Sequence, residues 1–169
     1  QEEFLQSLVD RIRSVSVTQN LLYSIEDISE IEMNPFISKL IDQISKSVAI
    51  QKQDIAFIID IDNIVLDIDK ALPIGLIINE TCTNSIKYAF DGTGSPCIKI
   101  SLTSGDDCYR FSISDNGRGL PQHIIHSGSE SVGLNLIEQL VRQINGNFQI
   151  KNNNGAVLEI KFLKNAVKN

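Results

Sequence analysis

Three side chains able to do chemistry lie in one stretch, NETCTNSIKYAF, at residues 79–90. Read as a helix, this stretch places Glu80, Asn84 and Lys87 in one row, because residues three or four positions apart share a helix face. A carboxylate and an amide supply the oxygen ligands that Mg²⁺ prefers, and an ammonium one turn on can contact the same phosphates. The alternative is an amphipathic helix whose polar face is simply solvated.

A second candidate follows a predicted strand, in DNGRGLP at residues 115–121. Asp115 has the same parity as the inward-pointing apolar residues of that strand, so we expect a buried carboxylate. Such a group needs hydrogen-bond donors from the protein or from a ligand, and the exocyclic amine of a purine is suitable. Gly117 and Gly119 would let backbone amides approach a ligand closely. The alternative is a turn capped by its own side chains.

A third stretch, SVGLNLIEQL, begins an amphipathic helix at residues 131–140. Gly133 lies near the helix start, where free amides and the helix dipole favour a phosphate. The preceding segment, QHIIHSGSE, is predicted to be a mobile lid too short for an element of its own. His123 and His126 belong to that lid, and we interpret them as exposed loop residues rather than metal ligands.

Composition limits the function classes. A length of 169 residues fits one domain with a short appendage, and no window is apolar for long enough to cross a membrane. The net charge of −6, with both signs mixed along the chain, disfavours a nucleic-acid surface. Cys82, Cys97 and Cys108 have no metal-ligand spacing and are predicted to be buried, reduced thiols of a cytoplasmic protein.

The first predicted helix, residues 4–24, has a narrow apolar seam typical of a coiled coil or helix bundle. We interpret this seam as a surface for a partner helix; the alternative is packing on the chain's own domain. The stretch EDISEIE, residues 26–32, is predicted to be a linker. The next helix has an apolar face that is predicted to be buried. The seam residues are Leu5, Leu8, Ile12, Val15, Gln19 and Leu22, and the buried face is Phe36, Ile37, Leu40, Ile41 and Ile44.

The predicted strands are joined mainly by hairpins. DIAFIID, residues 54–60, is apolar at both parities, which indicates a strand that is central or covered on both faces. Residues 104–107 and the dipeptide Asn154-Gly155 are predicted hairpin turns. The prediction is an α/β domain with helices on one face of a mixed sheet, rather than a doubly wound parallel sheet.

Taken together, ALPIGLIINETCTNSIKYAF, DNGRGLP and SVGLNLIEQLVRQINGNFQI resemble the ATP-binding domain of sensor histidine kinases. This domain belongs to the GHKL superfamily, which also contains gyrase, MutL and heat-shock chaperone ATPases. The lead-in Pro-Ile-Gly-Leu-Ile and the short lid are similar to the HWE-like subgroup. The resemblance covers about residues 34–163 and is specific, because three motifs occur in the family's order. It implies a Bergerat-type two-layer α/β sandwich that holds ATP.

The resemblance also implies roles for individual residues. Asp115 would accept from the adenine amino group, and Lys87 would contact phosphate. Asn84 would coordinate Mg²⁺, with Glu80 as a second ligand or as a base; Asn79 ranks lower because its helical angle points away. The catalytic set would be Glu80, Asn84 and Lys87, and the ATP-binding set Asn84, Lys87, Tyr88, Asp115, Gly117, Gly119, Leu120, Ser131, Val132, Gly133 and Leu134.

The stretch RIRSVSVTQNLLYS resembles the second helix of the family's dimerisation hairpin. This implies a helical arm at 1–25, a linker at 26–33 and an ATP-binding catalytic domain at 34–169. In this family the γ-phosphoryl group of ATP passes to a histidine on the first helix of the hairpin. The implied partners are ATP, a second copy bound through the arm and a response-regulator receiver domain, without nucleic acid or membrane contact. A cytoplasmic location is implied, whether or not a longer protein carries a membrane anchor.

Two departures from the family pattern qualify these expectations. The segment bearing the acceptor histidine is not in this sequence, so we expect ATP binding without self-phosphorylation on the usual residue. The last hairpin reads Gly155-Ala156-Val157 where many relatives have Gly-Thr, so we expect a polar contact near the phosphates to be missing. The alternative functions are another GHKL ATPase, an anti-sigma serine kinase, and a non-catalytic nucleotide-binding scaffold that dimerises.

Overall fold

The computed structural model describes residues 12, 15–25, 29–50, 54–127 and 132–164. Helix α1 covers residues 15–23. The remaining elements, in chain order, are β1 (Ile31–Glu32), α2 (Met33–Ile50), β2 (Ala56–Ile61), β3 (Val65–Leu66), α3 (Ile68–Tyr88), β4 (Cys97–Ser104), β5 (Cys108–Asp115), α4 (Gln122–Ser127), α5 (Val132–Gln143), β6 (Gly146–Asn152) and β7 (Ala156–Leu163).

The main sheet has five strands in the order β2-β4-β5-β7-β6. Only β2 and β4 are parallel, while the other neighbouring pairs are antiparallel. The β4–β5 and β6–β7 hairpins turn at the two predicted places, and β1 pairs with β3 in a separate two-stranded sheet. The prediction of a mixed, mostly hairpin-connected sheet is confirmed.

One face of the sheet is covered by α2, α3 and α5. Alternate residues of β5, such as Phe111 and Ile113, point into this layer and are at most 1% exposed. The five apolar residues predicted for the buried face of α2 all lie in the same core. Burial of this continuous apolar layer is the main stabilising term of a two-layer domain. The predicted α/β architecture, with helices on one face, is confirmed.

Strand β2 lies at the edge of the sheet, so the prediction of a central or doubly covered strand is wrong. Its residues alternate between exposed and half-buried, and Ile58, which pairs with Lys99, is 49% exposed. Apolar residues at both parities indicate high hydrophobicity, but they do not determine how many neighbours a strand has.

Helix α1 packs on its own domain through part of the predicted seam. Thr18 and Leu22 are fully buried. The close approach depends on Gly75 in α3, where a Cβ atom would lie 2.7 Å from Cγ2 of Thr18 and 2.8 Å from Cζ of Phe36. Leu22 is therefore occupied within the chain.

The other residues of the seam differ in exposure, and two of them lie outside the described part of the chain. Ile12 is 70% exposed and Val15 is 37% exposed, whereas Gln19 is half-buried. Leu5 and Leu8 lie outside the described residues. Ile12 and Val15 thus remain accessible to a partner helix, which keeps the predicted partner surface as a hypothesis for these two positions.

The segment predicted to be too short for an element contains α4, Gln122–Ser127. Its first turn follows Pro121, whose carbonyl accepts from the amide of Ile124 at 3.0 Å. Proline is favourable at a helix start because a backbone amide there has no partner within the helix, and proline has no amide hydrogen that needs one. The prediction that this segment is too short for an element of its own is therefore wrong, whereas the lid role stays a prediction. Residues 128–131 are outside the described part. Across the described residues, no helix is both long and apolar enough to cross a bilayer.

Candidate functional site

Helix α3 carries most of the predicted polar residues. Asp67 caps its N-terminus by accepting from the amide of Lys70 at 3.1 Å, and the helix runs for 21 residues from there. Glu80 lies on its buried side with 8% exposure, while Asn84 and Lys87 are exposed one and two turns further on. The row predicted from helical spacing therefore runs from the protein interior to the surface.

The start of α5 lies directly against this row. A Cβ atom at Gly133 would lie 2.5 Å from Oε1 of Glu80 and 3.3 Å from Nδ2 of Asn84. Any side chain at position 133 would displace these two groups. The structure thus brings together the first and third predicted stretches, with the backbone of α5 beside a carboxylate and an amide.

The second stretch contributes a buried carboxylate at the end of β5. Asp115 is 8% exposed, as its parity predicted. Its Oδ1 atom accepts from the amides of Gly117 at 2.9 Å and Ala156 at 3.1 Å. Its Oδ2 atom accepts from the hydroxyl of Ser85 at 2.7 Å. Three donors of the protein therefore stabilise the carboxylate in this position.

Ser85 is a site residue that was not among those predicted from the sequence. It is 6% exposed and follows Asn84 directly in the chain, so it connects the carboxylate of Asp115 to the polar row of α3. Its signal in the sequence was a hydroxyl among apolar residues of a helix. Burial of such a hydroxyl costs free energy unless it forms a hydrogen bond.

The turn after Asp115 is packed tightly on the end of α3. A Cβ atom at Gly117 would overlap the carbonyl oxygen of Ala89, and the same oxygen accepts from the amide of Arg118 at 3.0 Å. On the other side of this turn, the side chain of Asn116 binds the chain at the start of β4. Its Oδ1 atom accepts from the backbone amide of Cys97 at 2.8 Å, and its Nδ2 atom donates to the carbonyl of Ser95 at 2.9 Å.

Asn152 is a second residue that the sequence analysis missed. Its side-chain amide accepts from the amide of Leu120 at 2.9 Å and donates to the carbonyl of Leu120 at 2.8 Å. Gly119, with φ of +75°, allows the chain to pass close to this side chain. Asn152 therefore holds the backbone of the glycine-containing turn in place.

The Gly155-Ala156 turn lies beside Asp115. The amide of Ala156 donates to Asp115, and a Cβ atom at Gly155 would lie 2.9 Å from Oδ1 of Asp115. The β5–β7 pairing brings this turn to the carboxylate at the end of β5. The expected absence of a polar contact between this turn and the phosphates stays a prediction.

Comparison with known proteins places this geometry in a family. Residues 69–166 match the family model described as "Histidine kinase-, DNA gyrase B-, and HSP90-like ATPase". The chain belongs to this ATPase family. A second family model, described as "Histidine kinase", matches residues 1–48. The family predicted from three ordered motifs is confirmed.

Relatives with curated names are histidine kinases. Over 102 residues the chain is 26% identical to "Blue-light-activated histidine kinase 2" of Erythrobacter litoralis, covering 59% of this chain and 29% of the relative. Over 78 residues it is 33% identical to "Sensor histidine kinase PdtaS" of Mycolicibacterium smegmatis, covering 46% of this chain and 16% of the relative. The matches thus span less than a third of these relatives' length.

Solved structures share the fold. The histidine kinase domain of the Erythrobacter litoralis EL346 blue-light activated histidine kinase superposes with a TM-score of 0.77 at 20% identity, covering 94% of this chain and 82% of that chain. The catalytic domain of the histidine kinase ThkA gives a TM-score of 0.67 at 19% identity, covering 80% of this chain and 95% of that chain.

The other residues predicted to bind ATP differ in how far they are exposed. Tyr88, the last residue of α3, is 61% exposed, and Leu134 is half-buried against the core. Ser131 lies outside the described residues, as does the side chain of Val132. His123 lies in α4. The described residues contain no group of three His, Cys, Asp or Glu side chains placed to hold a metal ion.

The side chains of Glu80 and Asn84, which lie beside Gly133, nevertheless fit the Mg²⁺ that this ATPase family implies. Magnesium retains several waters and takes only one or two protein oxygens besides those of a phosphate substrate. Glu80 turns Oε1, and Asn84 turns its side-chain amide, toward the position that a Cβ atom at Gly133 would fill. The Asn84 atom nearest that position is Nδ2, and a half-turn of the amide would bring its oxygen there to bind the ion.

A separate groove of about 470 Å³ crosses the opposite, outer face of the ATPase domain's sheet. Within it Glu159 accepts from Lys151 at 2.9 Å and from Gln149 at 2.6 Å, and these two donors lower the pKa of its carboxyl. None of the predicted site residues lines it. The lining residues are Ser101, Thr103, Arg110, Phe111, Ser112, Asn147, Phe148, Gln149, Glu159, Ile160 and Lys161.

Cys82 lies between Glu80 and Asn84 in the chain but faces the core. It is fully buried, and burial raises the pKa of its thiol because the thiolate is poorly solvated there. Cys82 and Cys108 are buried free thiols as predicted, whereas Cys97 is only partly buried.

This burial predicts a pH dependence of stability. Above the ordinary thiol pKa of about 8.5 the unfolded chain loses the Cys82 proton while the folded chain retains it. The free energy of unfolding therefore falls as pH rises, by up to about 1.4 kcal/mol per pH unit from this group. Urea unfolding at pH 8 and pH 9.5 is expected to show a smaller decline for Cys82→Ala than for Cys97→Ala. Equal declines in the two variants would contradict the prediction.

Proposed function

We propose that this chain is the ATP-binding catalytic domain of a two-component sensor histidine kinase. The observation that carries the proposal is that one helix, α3, contacts both the buried carboxylate of Asp115 and the start of α5. Ser85 of α3 binds Asp115, the base-recognising candidate, while Glu80 and Asn84 of α3 lie against Gly133. A purine at one end and phosphates at the other would then be aligned along α3.

At the base end, Asp115 is the acceptor for the adenine amino group. Its two oxygens have about four lone-pair sites, and the protein donors use three of them. One acceptor site on Oδ2 remains for a ligand. Gly117, Gly119 and Leu120 form the wall of this end.

At the phosphate end, the exposed Lys87 is a point charge for the phosphates, and the start of α5 at Gly133 and Leu134 closes on them. Ser131 and Val132 would act with them, although Ser131 and the side chain of Val132 lie outside the described residues. Mg²⁺ bound by Asn84, with Glu80 as a second ligand, would neutralise phosphate charge. Tyr88 extends the same end of α3.

The proposed reaction is phosphoryl transfer from ATP to a histidine on a dimerisation helix. The bond from the γ-phosphorus to the bridging oxygen breaks, ADP leaves with that electron pair, and an imidazole nitrogen forms the new bond to phosphorus. Glu80 could accept the proton released from the other ring nitrogen, as an alternative to ligating the metal. Positioning and charge neutralisation supply most of the acceleration in such transfers.

The partners follow from the same proposal. A second copy would associate through the arm, where Ile12 and Val15 are accessible, and a response-regulator receiver domain would accept the phosphoryl group. This assigns the domain to the cytoplasm.

Phosphotransfer to a supplied acceptor tests the proposal. The chain is incubated with Mg²⁺, γ-labelled ATP and a helical dimerisation hairpin bearing the acceptor histidine. We expect acid-labile, base-stable phosphate on the hairpin, stoichiometric ADP, and no transfer to a hairpin whose histidine is replaced by Gln. Base-labile phosphoserine would instead support the serine-kinase alternative, and ATP binding without any transfer would support the scaffold.

A further inference from the structure

We propose that Ser85 determines which purine the site accepts. This inference rests on the proposed function, because it concerns the base end of the same nucleotide site. It assigns the serine as a positioning residue that acts through Asp115 and sets the preference for a 6-amino purine over a 6-oxo purine.

Three hydrogen-bond donors of the protein surround the carboxylate at this end of the site. The Ser85 hydroxyl has one hydrogen and gives it to Oδ2 of Asp115 at 2.7 Å. The amides of Gly117 and Ala156 give theirs to Oδ1. Each of these donors is therefore already used within the protein.

The hydrogen bonds that these groups can still form with a ligand are ones in which they accept. Asp115 and Ser85 each keep a small accessible surface, 8% and 6%. A ligand that reaches this end of the site would meet the remaining lone pair of Oδ2 and the lone pairs of the serine oxygen. A 6-amino group donates to such a pair, whereas a 6-oxo group would place an acceptor against acceptors. A site built to bind an N–H group discriminates strongly against an analogue that lacks it.

Ser85 enforces this pattern by supplying the donor at Oδ2 and keeping water out of that position. Without the hydroxyl, Oδ1 remains bound by two amides, but Oδ2 loses its protein donor, and water can enter the vacated position. A water molecule rotates to donate or accept, so it can satisfy either kind of base. Loss of the hydroxyl therefore relaxes the selection as well as weakening the preferred ligand.

The test compares MgATP with MgITP, whose base carries a 6-oxo group, by calorimetric titration of the whole chain. Wild type is expected to prefer ATP. Ser85→Ala is expected to weaken ATP binding about tenfold with little change for ITP. The ratio of the two dissociation constants therefore falls about tenfold, which a general loss of packing would not produce.

Thr81→Val is the matched control on the same helix. The Thr81 hydroxyl is buried and has no hydrogen-bond partner among the described residues, so its removal one turn from Ser85 should leave both affinities unchanged. Ser85→Cys, which keeps nearly the same volume with a weaker donor, provides the measurement if the alanine variant does not fold. Its selectivity is expected to lie between those of wild type and alanine.

The outcomes separate this inference from the proposed function. Selective ATP binding by wild type with an unchanged ratio in Ser85→Ala, or an equal loss for both nucleotides, would overturn the role of Ser85 alone. Failure of wild type to bind either nucleotide would overturn the proposed function and this inference with it.

Discussion

Asp115→Asn is expected to lower the affinity of the chain for MgATP by about a hundredfold. In the wild type, Oδ1 accepts from two backbone amides, and these donors will hold the Asn carbonyl oxygen in the same place. The new NH₂ group must then occupy the position of Oδ2, beside Ser85. It presents a donor where the 6-amino group of adenine needs an acceptor.

The folded state should tolerate this change. The Ser85 hydroxyl can rotate from donating to accepting, so each polar group keeps a partner. We expect a loss of about 1 kcal/mol in the free energy of unfolding and a fall in Tm of about 3 °C. Calorimetric titration with MgATP and MgITP, together with thermal unfolding, measures both effects. Because the variant's amide donates, its remaining binding should favour the 6-oxo base.

Asp106→Asn is the matched control for the loss of one negative charge. Asp106 lies exposed in the β4–β5 turn, at the other end of the same hairpin. The affinity of the Asp106→Asn variant for MgATP should equal that of wild type. Wild-type affinity in Asp115→Asn, or an equal loss in both variants, would contradict the assignment of Asp115 to the base.

The position of Asp115 was predictable because strand alternation alone fixes which face a side chain takes. The two hairpins were predictable for a similar local reason, since turn-forming residues lie between alternating runs. The row of Glu80, Asn84 and Lys87 follows from helical spacing. Ordered motifs of this kind also sufficed to identify the family.

The contacts that complete the site were not predictable in this way. Ser85 and Asp115 are 30 residues apart, and Leu120 and Asn152 are 32 apart. Each pair depends on how an element docks on the sheet. Periodicity reports that a residue is buried, but it does not identify the partner.

The same limit explains the errors at β2 and α1. The hydrophobicity of residues 54–60 was apparent, but the pairing of β2 with β4 alone was not. Leu22 fits a coiled-coil seam by spacing, yet it is buried in the chain's own core because Gly75 and its surroundings admit α1 there. A narrow apolar stripe is compatible with either contact.

Gly155→Ala is expected to destabilise the fold by at least about 3 kcal/mol. Gly155 has φ of +131°, a region that residues with a Cβ atom rarely adopt. A Cβ atom there would also overlap the carbonyl oxygen of Asp115. The β6–β7 turn must therefore move away from β5, which breaks the 3.1 Å bond from the amide of Ala156 to Asp115.

Gly92→Ala separates the two causes of this effect. Gly92 also has a positive φ, +75°, but a Cβ atom there would meet no atom within 4 Å. The Gly92→Ala variant should lose only about 1–2 kcal/mol in the free energy of unfolding, the cost of a positive φ for a residue with a Cβ atom. It should retain the wild-type affinity for MgATP. Urea unfolding followed by circular dichroism gives the free energies, and titration of the folded variants gives the affinities. Similar losses in both glycine variants would mean that the turn does not depend on its contact with Asp115. A larger loss at Gly155, accompanied by weaker ATP binding, is expected because that turn supplies one of the three donors that hold the carboxylate.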